Sequence, residues 1–177
     1  MNQYINLKKK SKYNYKNQLW IYDNFFSKDL FSKIKNYCKK LNFKNDERIS
    51  SRKTICLSFH NHKKLYNLIY KDLKFKKIIS NIYNGKYNNY KIKPTWPIEY
   101  RKYPKGSIGM GWHIDSSLFT PDCLEVVLTI NNTSDSKFLW REGFNIKSKS
   151  INPKPNTLAI VTPKTIEHSV SPVNNGY

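Results

Sequence analysis

Apolar residues recur at every third or fourth position in the first half of the chain and at every second position in the second half, with the change near Tyr90. From about Lys28 to Leu41, the residues Leu30, Phe31, Ile34, Tyr37, Cys38 and Leu41 fall on one helical face. Ser27, just ahead of them, offers a hydroxyl to an unpaired amide of the first turn. A second helix is expected from about Lys63 to Tyr83, where Leu65, Leu68, Ile69, Leu73, Ile79 and Tyr83 mix with charged positions such as Asp72 and Lys76. Trp20 to Phe26 reads as a short strand and turn, and Arg52 to Phe59 as a strand between the helices.

Beyond Tyr90 the strand-like stretches are Pro97 to Tyr103, Met110 to Ser117, Cys123 to Asn131, Lys137 to Ile151, Thr157 to Thr162 and Ile166 to Val173. Pro, Gly, Asn, Asp and Ser separate them. Helices followed by short strands predict an α+β protein with a β-sandwich or barrel core. Residues 1–18, polar and aperiodic, are expected to form a flexible basic leader ahead of one domain over 19–177, with the β core over about 94–177.

Composition narrows the setting. At 177 residues the chain can bury a real core. No apolar run approaches the roughly 18 residues of a membrane span, and the first twenty residues lack an apolar signal core, so an intracellular, cytoplasmic protein with no membrane partner is expected. Cys38, Cys56 and Cys123 are odd in number and widely spaced, which argues against a disulfide framework and against a zinc site. The net charge of +20 raises nucleic acid as a partner, because Lys and Arg neutralise phosphates. The lysines are nonetheless spread from Lys8 to Lys164 amid Asn, Ile and Tyr, the imprint of a base-composition bias, and only Lys8-Lys9-Lys10 with Lys12 and Lys16 forms a dense run.

The candidate chemistry lies in His113-Ile114-Asp115 and in His168. Two imidazoles and one carboxylate are the set that holds iron(II) on one face and leaves the other open. At i and i+2 of a strand, the side chains of His113 and Asp115 leave the same face, and His168, in a second extended stretch, closes the triad. The same set also accepts zinc, manganese or cobalt. His60 and His62 form an H-x-H pair with no acidic residue or third histidine at ligand spacing, and read as surface or helix-start histidines. Trp112, on the face opposite His113, reads as core. Trp96, Trp140 and Phe138 either line a substrate mouth or pack, as strand aromatics usually do.

Three blocks resemble the iron(II)- and 2-oxoglutarate-dependent dioxygenases, in particular their prolyl-hydroxylase-like branch. Tyr103-Pro104-Lys105-Gly106 followed by Gly111-Trp112-His113-Ile114-Asp115 is similar to that branch's Y-x-x-G lead into H-x-D. Val126-Val127-Leu128-Thr129-Ile130-Asn131 is similar to the strand that follows, and His168 to Gly176 to the block H-x-V-x-P-V-x-x-G. Ile21 to Ser27 and the helix after it resemble, more loosely, the segment such enzymes place before the barrel.

The resemblance implies a double-stranded β-helix (jelly-roll) core with N-terminal flanking helices, its last strand missing from the sequence. It implies His113, Asp115 and His168 as ligands of Fe(II), with 2-oxoglutarate as cosubstrate and ascorbate as a possible accessory reductant. Tyr103 either matches the branch's cosubstrate-binding tyrosine or is one of this chain's many ordinary tyrosines, and Thr129, on the face of Glu125 and Val127, is either a donor to the same carboxylate or a β-branched strand residue. Glu99, Arg101 and Tyr103 alternate onto one face, so Arg101 is either a cosubstrate or substrate contact or a solvated strand residue. The family's basic anchor for the distal carboxylate, about ten residues after the second histidine, would fall one position past Tyr177. Three readings stay open: a truncated chain, a surrogate in Lys164 or Arg101, or a protein that no longer uses 2-oxoglutarate.

The leading expectation is hydroxylation of a protein or peptide side chain. One alternative is a nucleic-acid demethylase of the alkylation-repair type, whose N-x-Y ahead of H-x-D is not in this sequence. The other is a metal-binding β-helix module without turnover.

Overall fold

The computed structural model of the chain describes residues 13–15, 18–45, 51–82, 98–115, 124–141, 147–162 and 164–176. In chain order its elements are β1 (Tyr13–Tyr15), β2 (Leu19–Tyr22), α1 (Lys28–Cys38), β3 (Lys44–Asn45), β4 (Lys53–Leu57), α2 (Phe59–Tyr70), α3 (Leu73–Ile82), β5 (Ile98–Lys102), β6 (Met110–His113), β7 (Glu125–Leu128), β8 (Phe138–Arg141), β9 (Lys149–Ile151), β10 (Leu158–Val161) and β11 (Glu167–Val170). They divide into two compact units, one of the chain up to Phe25 with Lys105 onward, the other of Phe26 to Pro104. Within the expected leader, Tyr13–Tyr15 form β1, paired with β2 rather than free, while its other residues apart from Gln18, together with Trp96, Cys123 and Tyr83, lie outside the described residues.

The first unit holds two four-stranded antiparallel sheets, ordered β1-β2-β10-β7 and β6-β11-β8-β9. Leu19 and Ile21 of β2, Ala159 and Val161 of β10, and Phe138 and Trp140 of β8 form one buried cluster with Ile166. Alternation along each strand sends these side chains inward, and cross-strand partners share a face. Each fully buried Leu or Ile of the cluster contributes about 2 kcal/mol. Phe138 and Trp140, 8% and 1% exposed, therefore pack rather than line a mouth. The stretch Lys137 to Ile151 is not one strand but the two strands β8 and β9, paired antiparallel.

The second unit carries the helices and a sheet ordered β3-β4-β5. Ser27 caps α1 as its sequence position predicts, its Oγ accepting from the Leu30 amide at 3.3 Å. Ile34 and Cys38 are the buried residues of that helix. The single helix expected over 63–83 is instead α2 and α3, because the Asp72 carboxylate accepts from the Phe75 amide at 2.7 Å and starts a new helix. The Tyr66 hydroxyl donates to the Leu57 carbonyl at 2.7 Å and accepts from the Ile98 amide at 3.0 Å, fixing α2 to β4 and β5. The Tyr37 hydroxyl meets Nδ1 of His62 at 2.9 Å, so His62, in the first turn of α2, ties α1 to α2.

Candidate metal centre

The site is built from the last residue of β6, a residue just past it, and the second residue of β11. His168 is the cross-strand partner of both His113 on β6 and Trp140 on β8. Because Trp140 points into the core, the shared register turns His168 and His113 inward as well. His168 thus closes the triad from a hydrogen-bonded neighbour in the same sheet. It is 2% exposed, and its ring lies 4.3 Å from that of His113, centroid to centroid. The side chains of His113 and Asp115 are 30% and 20% exposed, so the site is sealed at His168 and opens at the other two residues.

One ligand atom from each of His113, Asp115 and His168 falls within 4.8 Å of the others, and no other such group of three occurs among the described residues. Nε2 of His113 is 3.5 Å from Asp115 Oδ1, and Nε2 of His168 is 3.3 Å from Oδ2. The other ring nitrogens fix the tautomers. Nδ1 of His113 lies 2.8 Å from the Gly111 carbonyl and Nδ1 of His168 lies 3.4 Å from the Ile166 carbonyl. A carbonyl only accepts, so each Nδ1 carries a proton, which leaves Nε2 of each ring, facing the carboxylate, as the atom that would ligate a metal. Asp115 Oδ2 is buried and has no hydrogen-bond partner among the described residues. Two imidazole nitrogens and a carboxylate thus converge in a partly buried pocket, an arrangement that a bound cation would hold together. The donor set therefore fits a divalent ion, with the carbonyls of Gly111 and Ile166 orienting the histidines.

Asp115 lies beyond the end of β6, where strand parity alone no longer fixes it. Its carbonyl accepts from the Lys164 amide at 3.0 Å, and Lys164 adopts a φ of 60° that turns this amide inward. Gly111, Ile166 and Lys164 act here through the backbone, which any residue supplies, so their side chains carry no signal in the sequence.

The other expected site residues are less concentrated. Thr129 sits one residue past β7, its amide bonded to the Thr157 carbonyl at 2.9 Å and its carbonyl to the Asn156 amide at 2.8 Å. Within β7, Glu125 and Val127 pair with Val161 and Ala159 and share their inner face, and Val127 is 39% exposed there. Arg101 and Tyr103 belong to the second unit. The Arg101 guanidinium is engaged with Glu99, Nε at 2.7 Å and Nη2 at 2.5 Å from Oε2. Trp112 is not core: it is half-buried on the outer face of its sheet, with the Arg141 guanidinium 4.2 Å from its ring centroid.

No protein-family model and no curated protein match the chain. Solved structures do. An oxidoreductase of the 2OG-Fe(II) oxygenase family from Burkholderia pseudomallei aligns with a TM-score of 0.71 at 13% identity, over 90% of this chain and 79% of that one. A Pseudomonas putida prolyl-4-hydroxylase aligns with a TM-score of 0.65 at 15% identity, over 89% and 87%. A prolyl hydroxylase from Trichoplax adhaerens, in complex with a hypoxia inducible factor oxygen degradation domain peptide fragment, aligns with a TM-score of 0.62 at 18% identity, over 89% and 79%. The chain thus has the fold of these oxygenases across nearly all of its length, in keeping with the resemblance in its motifs. Among the described residues no helix is long and apolar enough to cross a membrane.

Proposed function

We propose that this chain is an iron(II)- and 2-oxoglutarate-dependent dioxygenase that hydroxylates a protein or peptide side chain, with residues 19–177 acting as one domain. One observation carries the reading: two imidazole Nε2 atoms converge on a carboxylate whose buried Oδ2 has no hydrogen-bond partner among the described residues. His113, Asp115 and His168 would hold the metal, and the two antiparallel sheets around them are read as a double-stranded β-helix. Bound iron(II) supplies dioxygen activation, coupled to conversion of 2-oxoglutarate to succinate and carbon dioxide.

The chain's own residues do the rest. His168 anchors the buried side, while half-open His113 and Asp115 leave the approach for cosubstrate, dioxygen and substrate. Asp115 offsets part of the ion's charge, which neither Asn nor Ala would do. Tyr103 by its motif, and Thr129 and Arg101 by the strand faces they occupy, are assigned to cosubstrate binding. A peptide substrate is favoured by the fold shared with two prolyl hydroxylases, one of them solved with a peptide fragment. The net charge of +20 favours a second reading, demethylation of nucleic acid.

The test is turnover of 2-oxoglutarate with iron(II) and ascorbate. Succinate above background, lost in Asp115→Ala, is expected; iron-loaded protein that forms none refutes the reading. Oligonucleotide binding with a steep salt slope, and succinate formation stimulated by methylated single strands rather than by peptides, would move the assignment to the second reading.

A further inference from the structure

Behind the two histidines, on the outer face of the same sheet, three side chains form a strap across three strands. Trp112 immediately precedes His113 on β6, and Glu167 immediately precedes His168 on β11. Both therefore point away from the core, directly behind the inward-turned imidazoles. Arg141 on β8 is the cross-strand partner of Glu167. Its Nε donates to Glu167 Oε2 at 2.8 Å, and its guanidinium reaches past β11 to lie 4.2 Å from the Trp112 ring centroid. The pair is well shielded, with side chains 17% and 5% exposed, so salt and water weaken it little. A planar guanidinium can accept the carboxylate along its edge and the indole on its face at once, which a lysine ammonium cannot.

We infer that Arg141 is a positioning residue of the metal centre: through Glu167 and Trp112 it sets the spacing and tilt of β6 against β11, and so the separation of His113 and His168. The register between these strands needs such a device, because the pairing shifts between His168 and Val170, where it leaves the ladder irregular beside the ligand. The inference rests on the reading of His113, Asp115 and His168 as metal ligands.

Cobalt(II) titration of the purified chain, followed by its visible ligand-field absorption, tests it without reference to turnover. Arg141→Lys keeps the charge and loses the flat face. Trp112→Phe is the mild variant that keeps the ion pair and a smaller ring, and the reversed pair Arg141→Glu with Glu167→Arg restores the bridge in the other sense. Folding of each is checked by circular dichroism. Folded Arg141→Lys is expected to bind cobalt about tenfold more weakly with a shifted band, Trp112→Phe to shift the band less, and the reversed pair to recover part of the affinity. Wild-type affinity and band in folded Arg141→Lys and Trp112→Phe would overturn the positioning role and leave the metal reading intact. Should Arg141→Lys not fold, an unchanged band in Trp112→Phe alone would overturn it. A wild-type chain that binds cobalt no better than His113→Ala would remove the metal reading, and the strap with it.

Discussion

His168 Nε2 approaches Asp115 Oδ2 to 3.3 Å, although one residue lies within β11 and the other beyond the end of β6. The Lys164 amide holds Asp115 in place and the Ile166 carbonyl holds the His168 ring, so the approach is imposed by backbone on both sides. Backbone contacts thus hold the carboxylate and the imidazole together before an ion binds, so less ordering remains to be done when it does.

Metal should therefore stabilise the fold by mass action. At a free concentration a hundred times its dissociation constant, a divalent ion adds about 2.7 kcal/mol. Asp115→Ala and His113→Ala, both at partly exposed positions, should leave the chain folded and abolish this gain. Thermal denaturation with iron(II) or cobalt(II), with and without chelator, measures it. An ion-dependent rise in midpoint that survives both substitutions would place the binding elsewhere.

Two glycines give a paired prediction about the strand contact beside the site. Gly109 has φ +75°, and a Cβ there would run into the Val170 carbonyl and lie 2.6 Å from the Ser171 carbonyl oxygen. Gly106 has a similar φ of +83° but nothing within 4 Å of its would-be Cβ. Gly106→Ala should cost only the left-handed penalty, about 1–2 kcal/mol. Gly109→Ala adds overpacking of roughly 1–3 kcal/mol and pushes β11 from the chain leading into β6. Urea unfolding of the two variants compares them directly, and equal losses would refute the close approach.

Much of this was legible because it is local. The period change near Tyr90 and the Ser27 cap depend only on neighbouring residues, whereas Asp115, two residues past the end of β6, also needs the Lys164 amide. What stays hidden is what one residue type can do in two ways. Asp72 reads as an exposed helix position, yet its carboxylate caps a new helix. Trp112, on the face opposite His113, reads as core, yet it is the face of His113 that is buried and Trp112 lies outside, where Arg141 covers it. The tautomers of the two histidines depend on main-chain carbonyls that no side chain announces. Gly109, too, looks like any glycine until the strand it lets in is known.

The C-terminal turn should loosen in acid. Asp135 Oδ1 accepts from the amides of Asn174 at 3.0 Å and Asn175 at 3.1 Å, and these bonds hold its carboxyl below the ordinary value of 3.8. A carboxylate with a lowered folded value stabilises the turn above about 3.8, and that contribution disappears as the pH falls through the folded value. In an NMR titration, the amide resonances of Asn174 and Asn175 should move together with the Asp135 carboxyl carbon, at a midpoint below 3.8. Asp135→Ala should erase this titration and speed exchange of both amides. Amides that do not titrate would show that the carboxylate does not hold the turn.

The two described thiols should differ sharply in reactivity. Cys38 is buried at 4% exposure, and burial pushes its thiol up to about 11, whereas Cys56 is exposed. Since the thiolate is the nucleophile, alkylation of the native chain near pH 8 should mark exposed Cys56 first and Cys38 at least about a hundredfold more slowly. The same shift links stability to pH. Between the ordinary thiol value of 9.0 and the folded value of about 11, the unfolded chain gives up a proton that the folded chain keeps, so stability falls as the pH rises through that window. Cys38→Ala should flatten this decline while costing packing energy at every pH. Site-resolved mass spectrometry of the alkylated chain checks the rates, and denaturation midpoints from pH 8 to 11 check the slope. Equal labelling of both cysteines in the native chain would contradict the buried thiol outright.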